Sequence, residues 1–239
     1  MKQKEEGFTS FIKTLMAAIV AAAIVRSVLF EPFHIPSSSM KPGLLIGDYI
    51  FVSKYSYGYS KYSFPLSLNL FSGRIFKETP KRGDVAVFRL PSDTSINYIK
   101  RVIGLPGDTI QVKSGQLYIN QQPIEKIYQG EFVDNNQTII AKFKEILSTE
   151  KEVMVLDQYE NSPQDNTGIY NVPEGHYFMM GDNRDNSQDS RFLTQVGFVP
   201  EENFIGKAGI IFFSVNDNIW KFWKWPSSIR FKRIFHKIN

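Results

Sequence analysis

From Phe8 to Phe30 the chain is apolar except for Lys13, Arg26 and a few hydroxyls, and its centre, Thr14 to Val25, carries no charge. As a helix these twenty-three residues reach roughly 34 Å at about 1.5 Å per residue, enough to cross the hydrocarbon core of a bilayer. Lys13 and Arg26 lie close enough to the ends to extend their head groups into the interface, which removes most of the charge penalty. A cleaved export signal is the competing reading, because Ala21 to Ala23 offers small residues. Cutting there would leave only about nine apolar residues in the hydrophobic region and expose Ile24, Val25 and Arg26 at the new terminus. A retained anchor is therefore expected, ahead of either that or a buried soluble helix. Lys2, Lys4 and Lys13 on one side against Arg26 and Lys41 on the other lean toward a cytoplasmic N-terminus.

Composition matters mainly for what it excludes. The chain has 239 residues, 42% apolar and 22% charged, enough for one good-sized core or two small ones. It has no cysteine, so it holds no disulfide, thiol nucleophile or cysteine metal site. Its three histidines, His34, His176 and His236, are not paired at a ligand spacing, which leaves little material for zinc or for a histidine base. The net charge of +4 is unevenly spread: six basic residues fall in the last nineteen positions, where there is no acidic residue. That distribution suits an anionic membrane surface better than a nucleic-acid duplex, and no nucleic-acid partner is expected.

After Pro32 helical periodicity fades into short apolar runs that begin just after Gly-Asp, at Gly47-Asp48, Gly83-Asp84 and Gly107-Asp108. Turn residues followed by β-branched and aromatic residues are a strand signal. Lys113-Ser114-Gly115-Gln116 reads as the turn of a hairpin between Thr109–Val112 and Leu117–Asn120. The body is therefore mostly antiparallel β. The polar segment from Gln121 to Asn171 reads as an insertion or second lobe, with one candidate helix around Ile139 to Leu147. Residues 62–76 are apolar without strict alternation, and residues 219–238 mix Trp220, Phe222, Trp223 and Trp225 with Lys and Arg. Aromatics beside cations are what contact with lipid headgroups needs. Ordinary core for the first segment and a solvated tail for the second are the plainer readings.

Past the anchor comes Phe33-His34-Ile35-Pro36-Ser37-Ser38-Ser39-Met40-Lys41-Pro42. Alone, a serine cluster beside proline reads as a linker. Ser38-Ser39-Met40-Lys41 matches Ser-x-x-Lys, the penicillin-recognising arrangement. Pro42 biases Lys41 toward extended geometry, however, and neither Ser-Asp-Asn nor Lys-Thr-Gly follows. A second segment is Tyr98-Ile99-Lys100-Arg101-Val102-Ile103-Gly104-Leu105-Pro106-Gly107-Asp108. In a strand, Lys100 shares a face with Tyr98 and Val102. Desolvation on such a face lowers a lysine pKa toward neutrality, as a general base requires. Alone, Lys100 would read as a snorkelling surface lysine. A third segment runs Gly181-Asp182-Asn183-Arg184-Asp185-Asn186-Ser187-Gln188-Asp189-Ser190-Arg191. So many small polar residues make a loop, and the mixture of acid, amide and guanidinium favours an internal hydrogen-bond and ion-pair network.

In this order behind an anchor, the three segments resemble the bacterial type I signal peptidases, Ser-Lys endopeptidases of the membrane. The match runs from about Glu31 to Gly107 and again from Gly181 to Ala208. The resemblance implies a mainly β fold, an N-terminal transmembrane helix followed by two antiparallel β domains. It divides the chain into a cytoplasmic N-terminus and anchor (1–31), a catalytic β core (32–108 with 172–215), an inserted second β lobe (109–171) and a basic-aromatic tail (216–239). It implies Ser39 as nucleophile, Lys100 as its base, Ser37 as an oxyanion donor beside the Ser39 N–H, Ser187 orienting the lysine, and Asp189 with Arg191 as a supporting ion pair. Phe33, Ile35, Met40, Leu44, Tyr98 and Ile99 fall where the family lines shallow pockets for small residues before the cleavage point. The implied substrates are signal peptides of exported preproteins, cut after Ala-x-Ala-like segments. The implied location is the bacterial cytoplasmic membrane, spanned once through 8–30, with the catalytic side outside the cytoplasm and an apolar surface facing the membrane, for which 62–76 is a candidate; a lipid contact of 219–238 lies outside the resemblance and rests on composition alone. No metal or cofactor is implied, and the oligomeric state is left open. Ser38 stands where glycine is frequent in these enzymes of Gram-negative bacteria. Two rival functions are a dedicated processing peptidase of the same fold and a membrane-tethered adhesion module, for which Arg82-Gly83-Asp84 could be quoted.

Overall fold

The computed structural model of the chain describes residues 2–64, 67, 71–134, 136–149, 151–159, 162–216, 223 and 225–238, with side chains from residue 7 onward. Much of the expected apolar segment 62–76, namely 65, 66 and 68–70, and much of the tail, 217–222 and 224, lie outside the described residues. Helix α1 spans Lys2–Val28. Its Gly7–Val28 portion is 22 residues long with a mean hydropathy of 2.0, and its most apolar stretch is not covered by any of the described residues. An uncovered helix of that length and composition is built for a bilayer rather than for a protein core.

The strands are β1 (Phe30–His34), β2 (Asp48–Ser53), β3 (Val85–Leu90), β4 (Asp93–Gly104), β5 (Thr109–Lys113), β6 (Gln116–Ile119), β7 (Gln122–Pro123), β8 (Glu125–Val133), β9 (Ile139–Ser148), β10 (Lys151–Asp157), β11 (Tyr170–Asn171), β12 (His176–Met180), β13 (Val199–Pro200) and β14 (Phe204–Ser214). They form a seven-stranded sheet in the order β1-β2-β14-β3-β4-β12-β13, a three-stranded sheet β10-β9-β8 and a four-stranded sheet β11-β5-β6-β7. All named pairings are antiparallel. The expected hairpin is present: Lys113 pairs with Gln116, and Ser114 and Gly115 both take positive φ, as a two-residue turn matching the strand twist requires.

The Gly-Asp pairs share one construction. In Leu45–Asp48, Lys81–Asp84 and Leu105–Asp108 the aspartate N–H donates to the first carbonyl, and its carboxylate accepts the first N–H. Glycine supplies the positive φ at the third position, 84° to 87°. This is a type II turn locked by its last side chain. Arg82-Gly83-Asp84 is consumed by this turn: Arg82 pairs with Asp108, and buried Asp84 pairs with Lys207 and accepts from Tyr57. The tripeptide is therefore not presented for adhesion.

One apolar cluster, including Ile35, Met40, Leu44, Ile50, Val52, Val85 and Ile211, fills the β1-β2-β14-β3 side of the large sheet. Another joins Ile103, Phe178 and Met180 to Ile110, Leu117, Leu147 and Val153, so the inserted segment shares its core with the far end of that sheet.

Residues Ile139 to Leu147 are a correction. They form the middle strand of the β10-β9-β8 sheet, not a helix. Apolar residues at 139, 140, 143, 146 and 147 fit a helical period, but pairing on both edges satisfies the backbone and overrides it. The tail also behaves differently from a free basic arm. Helix α2 (Trp225–Ser228) leads into a segment lying along β14, with Ile211 N–H donating to His236 O at 3.0 Å. Arg230 and Arg233 both reach Asp48, which is wholly buried, and Arg233 Nη2 lies 2.6 Å from its Oδ2.

Candidate active site

Sheet order brings the three segments together. β1 ends at His34 opposite Tyr49 of β2, Ile35 keeps the pairing through Asp48 O, and the chain then leaves the sheet as a turn in which Lys41 N–H donates to Ser38 O at 3.1 Å. Ser39 lies inside that turn. β12 runs antiparallel to β4 with Met180 opposite Arg101, so the residues after Met180 emerge beside Lys100.

Alternation along β4 separates two cations. Arg101 points to one face and forks onto Asp182, Nε to Oδ1 and Nη2 to Oδ2 both at 2.7 Å, while its Nη1 donates to Gly83 O. Lys100 points to the other face, 4% exposed, and its Nζ lies 2.7 Å from Ser39 Oγ. Burial among uncharged groups disfavours the ammonium. The carboxylates of Asp189 and Asp182 act in the opposite sense, and burial wins: the Lys100 pKa falls to about 8. The Tyr98 ring, held by its hydroxyl on Gln188 Oε1 at 2.8 Å, has its centroid 5.3 Å from Nζ.

The loop after β12 clamps the serine turn. Asn183 N–H donates to Ser39 O at 3.0 Å, Asn183 Nδ2 to Ser38 O at 3.2 Å, and Asn186 Nδ2 to Ser38 Oγ at 2.9 Å. The hydroxyl that distinguishes Ser38 from glycine therefore has a partner. Asp189 holds the loop's shape by accepting from Gly181 N–H and from Arg191 Nε and Nη2. Burial alone would raise its carboxyl, but Arg191 and these donors, with Ser187 close by, hold it below the usual range. Behind the loop, Arg184 forks onto Glu145 of β9, both buried.

Of the residues picked out in the sequence, Ser37, Ser39, Tyr98, Ile99 and Lys100 line one open cleft of about 410 Å³, joined by Asn186 and Gln188. Ser37 Oγ is 3.3 Å from Ser39 Oγ. Ile35, Met40 and Leu44 are buried in the first apolar cluster, with Phe33 packed at its edge. Ser187 is buried against Gly181 without a well-formed hydrogen bond, and among the described residues its hydroxyl does not bond Lys100. Asn183 and Asn186 were missed as individual residues. The signal was available, since amides within a loop otherwise too polar to be buried are the groups that satisfy neighbouring carbonyls.

Among the described residues, one long apolar helix precedes a β body whose open cleft holds a buried lysine against a serine hydroxyl, an arrangement of the kind a membrane-tethered hydrolase needs. The family model for signal peptidase, peptidase S26, matches residues 8–213, and the chain belongs to that family of serine peptidases, which remove signal peptides. Signal peptidase I of Rickettsia typhi is 42% identical over 256 residues, covering 99% of this chain and 95% of that one. Signal peptidase I of Rickettsia conorii is 43% identical over 239 residues, covering 92% and 89%. A crystal structure of a signal peptidase I from Enterococcus faecalis is 27% identical, covers 54% of this chain and 97% of that one, and superposes with a TM-score of 0.33.

Proposed function

We propose that the chain cleaves signal peptides from exported preproteins after small residues of the Ala-x-Ala type, with Ser39 as nucleophile and Lys100 as general base. The observation that carries this reading is the 2.7 Å contact of a buried lysine, its pKa lowered to about 8, with a serine hydroxyl in a cleft. Neutral Lys100 takes the Ser39 proton as Oγ attacks the scissile carbonyl, and the resulting ammonium returns that proton to the departing amine. A water then attacks the acyl-enzyme carbonyl as Lys100 takes its proton, and the ammonium passes that proton to Ser39 Oγ as the Oγ–acyl bond breaks, releasing the carboxylic acid and regenerating both residues. Ser37 Oγ and the Ser39 N–H are the proposed oxyanion donors, each of a kind commonly worth ~3 kcal/mol. Tyr98 and Ile99 form the wall for the residues before the cut, and the buried cluster of Ile35, Met40 and Leu44, with Phe33 at its edge, backs Ile99 rather than lining the cleft. Asp189 and Arg191 keep the loop beside Lys100 in shape, with Ser187 packed against Gly181.

The same reading places α1 across the bacterial cytoplasmic membrane with the cleft on its outer side. Exposed Phe76, Trp223, Phe231 and Phe235 give the body aromatic groups for the headgroup layer. The test is cleavage of a preprotein by the detergent-solubilised full chain, with Ser39→Ala and Lys100→Ala alongside. Cleavage after Ala-x-Ala that both substitutions abolish is the expected result, and activity retained by either folded variant would refute the pair.

A further inference from the structure

Lys41 stands two residues after Ser39, and its side chain is only 5% exposed. A buried ammonium needs a carboxylate. Lys41 finds it in Asp134, ninety-three positions away, through an Nζ–Oδ1 ion pair. Asp134 sits at the tip of the β8–β9 hairpin. Its N–H donates to Thr138 O at 2.9 Å and its carbonyl accepts from Gln137 N–H at 2.9 Å, so the carboxylate projects from a closed turn. The hairpin is itself fixed, since Glu145 of β9 holds Arg184 in the loop behind the serine.

The turn that carries Ser39 is thus gripped from two directions. Asn183 holds its Ser38 and Ser39 carbonyls, and Lys41, whose N–H closes the turn onto Ser38 O, is held by the hairpin. The Lys41–Asp134 pair therefore anchors the last residue of the turn within which Ser39 faces Lys100.

We propose that the hairpin of the inserted lobe is a tether for the nucleophile turn, with Lys41 and Asp134 as positioning residues that contact each other and not the substrate. This inference rests on the reading of Ser39 as nucleophile. A misplaced nucleophile lowers turnover while leaving peptide binding nearly intact.

The experiment compares Lys41→Met, Asp134→Asn and the double variant in the detergent-solubilised full chain, using a synthetic Ala-x-Ala junction peptide, below the melting temperature of every variant. The expected result is a kcat loss of about ten- to a hundredfold, equal in all three, with KM within about twofold and the pH midpoint of the rate unchanged. Wild-type kcat in the double variant, single losses that multiply in the double, or a loss confined to KM would overturn the tether. Should Asp134→Asn fail to fold because it strands the buried ammonium, the double variant removes that charge and its kcat decides. Ser39→Ala runs alongside: cleavage by it overturns the nucleophile assignment, whereas a silent Ser39→Ala with a fully active double variant overturns the tether alone.

Discussion

Replacing Lys100 with methionine removes the proposed base, and it should also make the protein more stable. The folded-state pKa of Lys100 is about 8 against 10.5 for a lysine free in water, and the side chain is almost wholly buried. At about 1.4 kcal/mol per pKa unit, that depression means the charged lysine opposes folding by roughly 3 kcal/mol. Below pH 8 the group is charged in both states and the full penalty applies. Between about pH 8 and 10.5 only the unfolded chain holds the proton, so wild-type stability rises with pH and the penalty fades. Methionine fills similar volume without charge but forfeits the hydrogen bond to Ser39, about 1 kcal/mol. The variant should therefore gain about 2 kcal/mol at pH 7, and the gain should disappear by about pH 9.5. Denaturant titration of the detergent-solubilised wild type and variant at the two pH values measures this directly. A variant less stable at pH 7, or a difference that does not change with pH, would mean that Lys100 is not held in a depressed state.

In the proposed mechanism the same pKa sets the rate. With the neutral amine as the proposed active form, kcat/KM should rise about tenfold from pH 7 to pH 9 around a midpoint near 8, and a flat profile would exclude Lys100 as base. Gly181→Ala would place a Cβ 2.2 Å from Ser187 Oγ and 2.6 Å from Ser39 O, pushing the serine turn from Lys100. Turnover should fall about a hundredfold with the fold retained by circular dichroism, and near-normal turnover would show that the contact relaxes freely. Glu145→Gln strands the buried Arg184 guanidinium, so the chain should lose about 3–5 kcal/mol of stability, read as a lower denaturation midpoint. Arg230→Ala with Arg233→Ala leaves Asp48 buried without its cations, and an unchanged melting temperature would show that the tail is not integral to the fold.

What was legible in the sequence was local. The Ser114-Gly115 turn, the Gly-Asp turns and the alternation that separates Lys100 from Arg101 each follow from a few neighbouring residues whose backbone preferences agree. The anchor is legible for the same reason, since a long uncharged run has few alternatives. Contacts set by sheet closure were not legible. β9 carries Ala, Lys, Glu and Leu in a helical rhythm, and only its two strand partners, with Glu145 turned inward to Arg184, make it a strand. The bonds of Arg230 and Arg233 to Asp48 were not legible either, because that aspartate lies more than 180 positions earlier. Lys41 resembled half of a Ser-x-x-Lys motif because nothing nearby announces Asp134.

β14 is the last long strand in the chain, yet it lies between β2 and β3 in the large sheet. Before it is added, the strand leading to Ser39 and the strand bearing Lys100 belong to separate edges with no backbone bond between them. A polypeptide emerging N-terminus first from a ribosome therefore carries both residues long before it can hold them in register. Proteolytic competence should therefore appear only once β14 has been made and has paired with both neighbours, so the order of synthesis itself delays the assembly of the site.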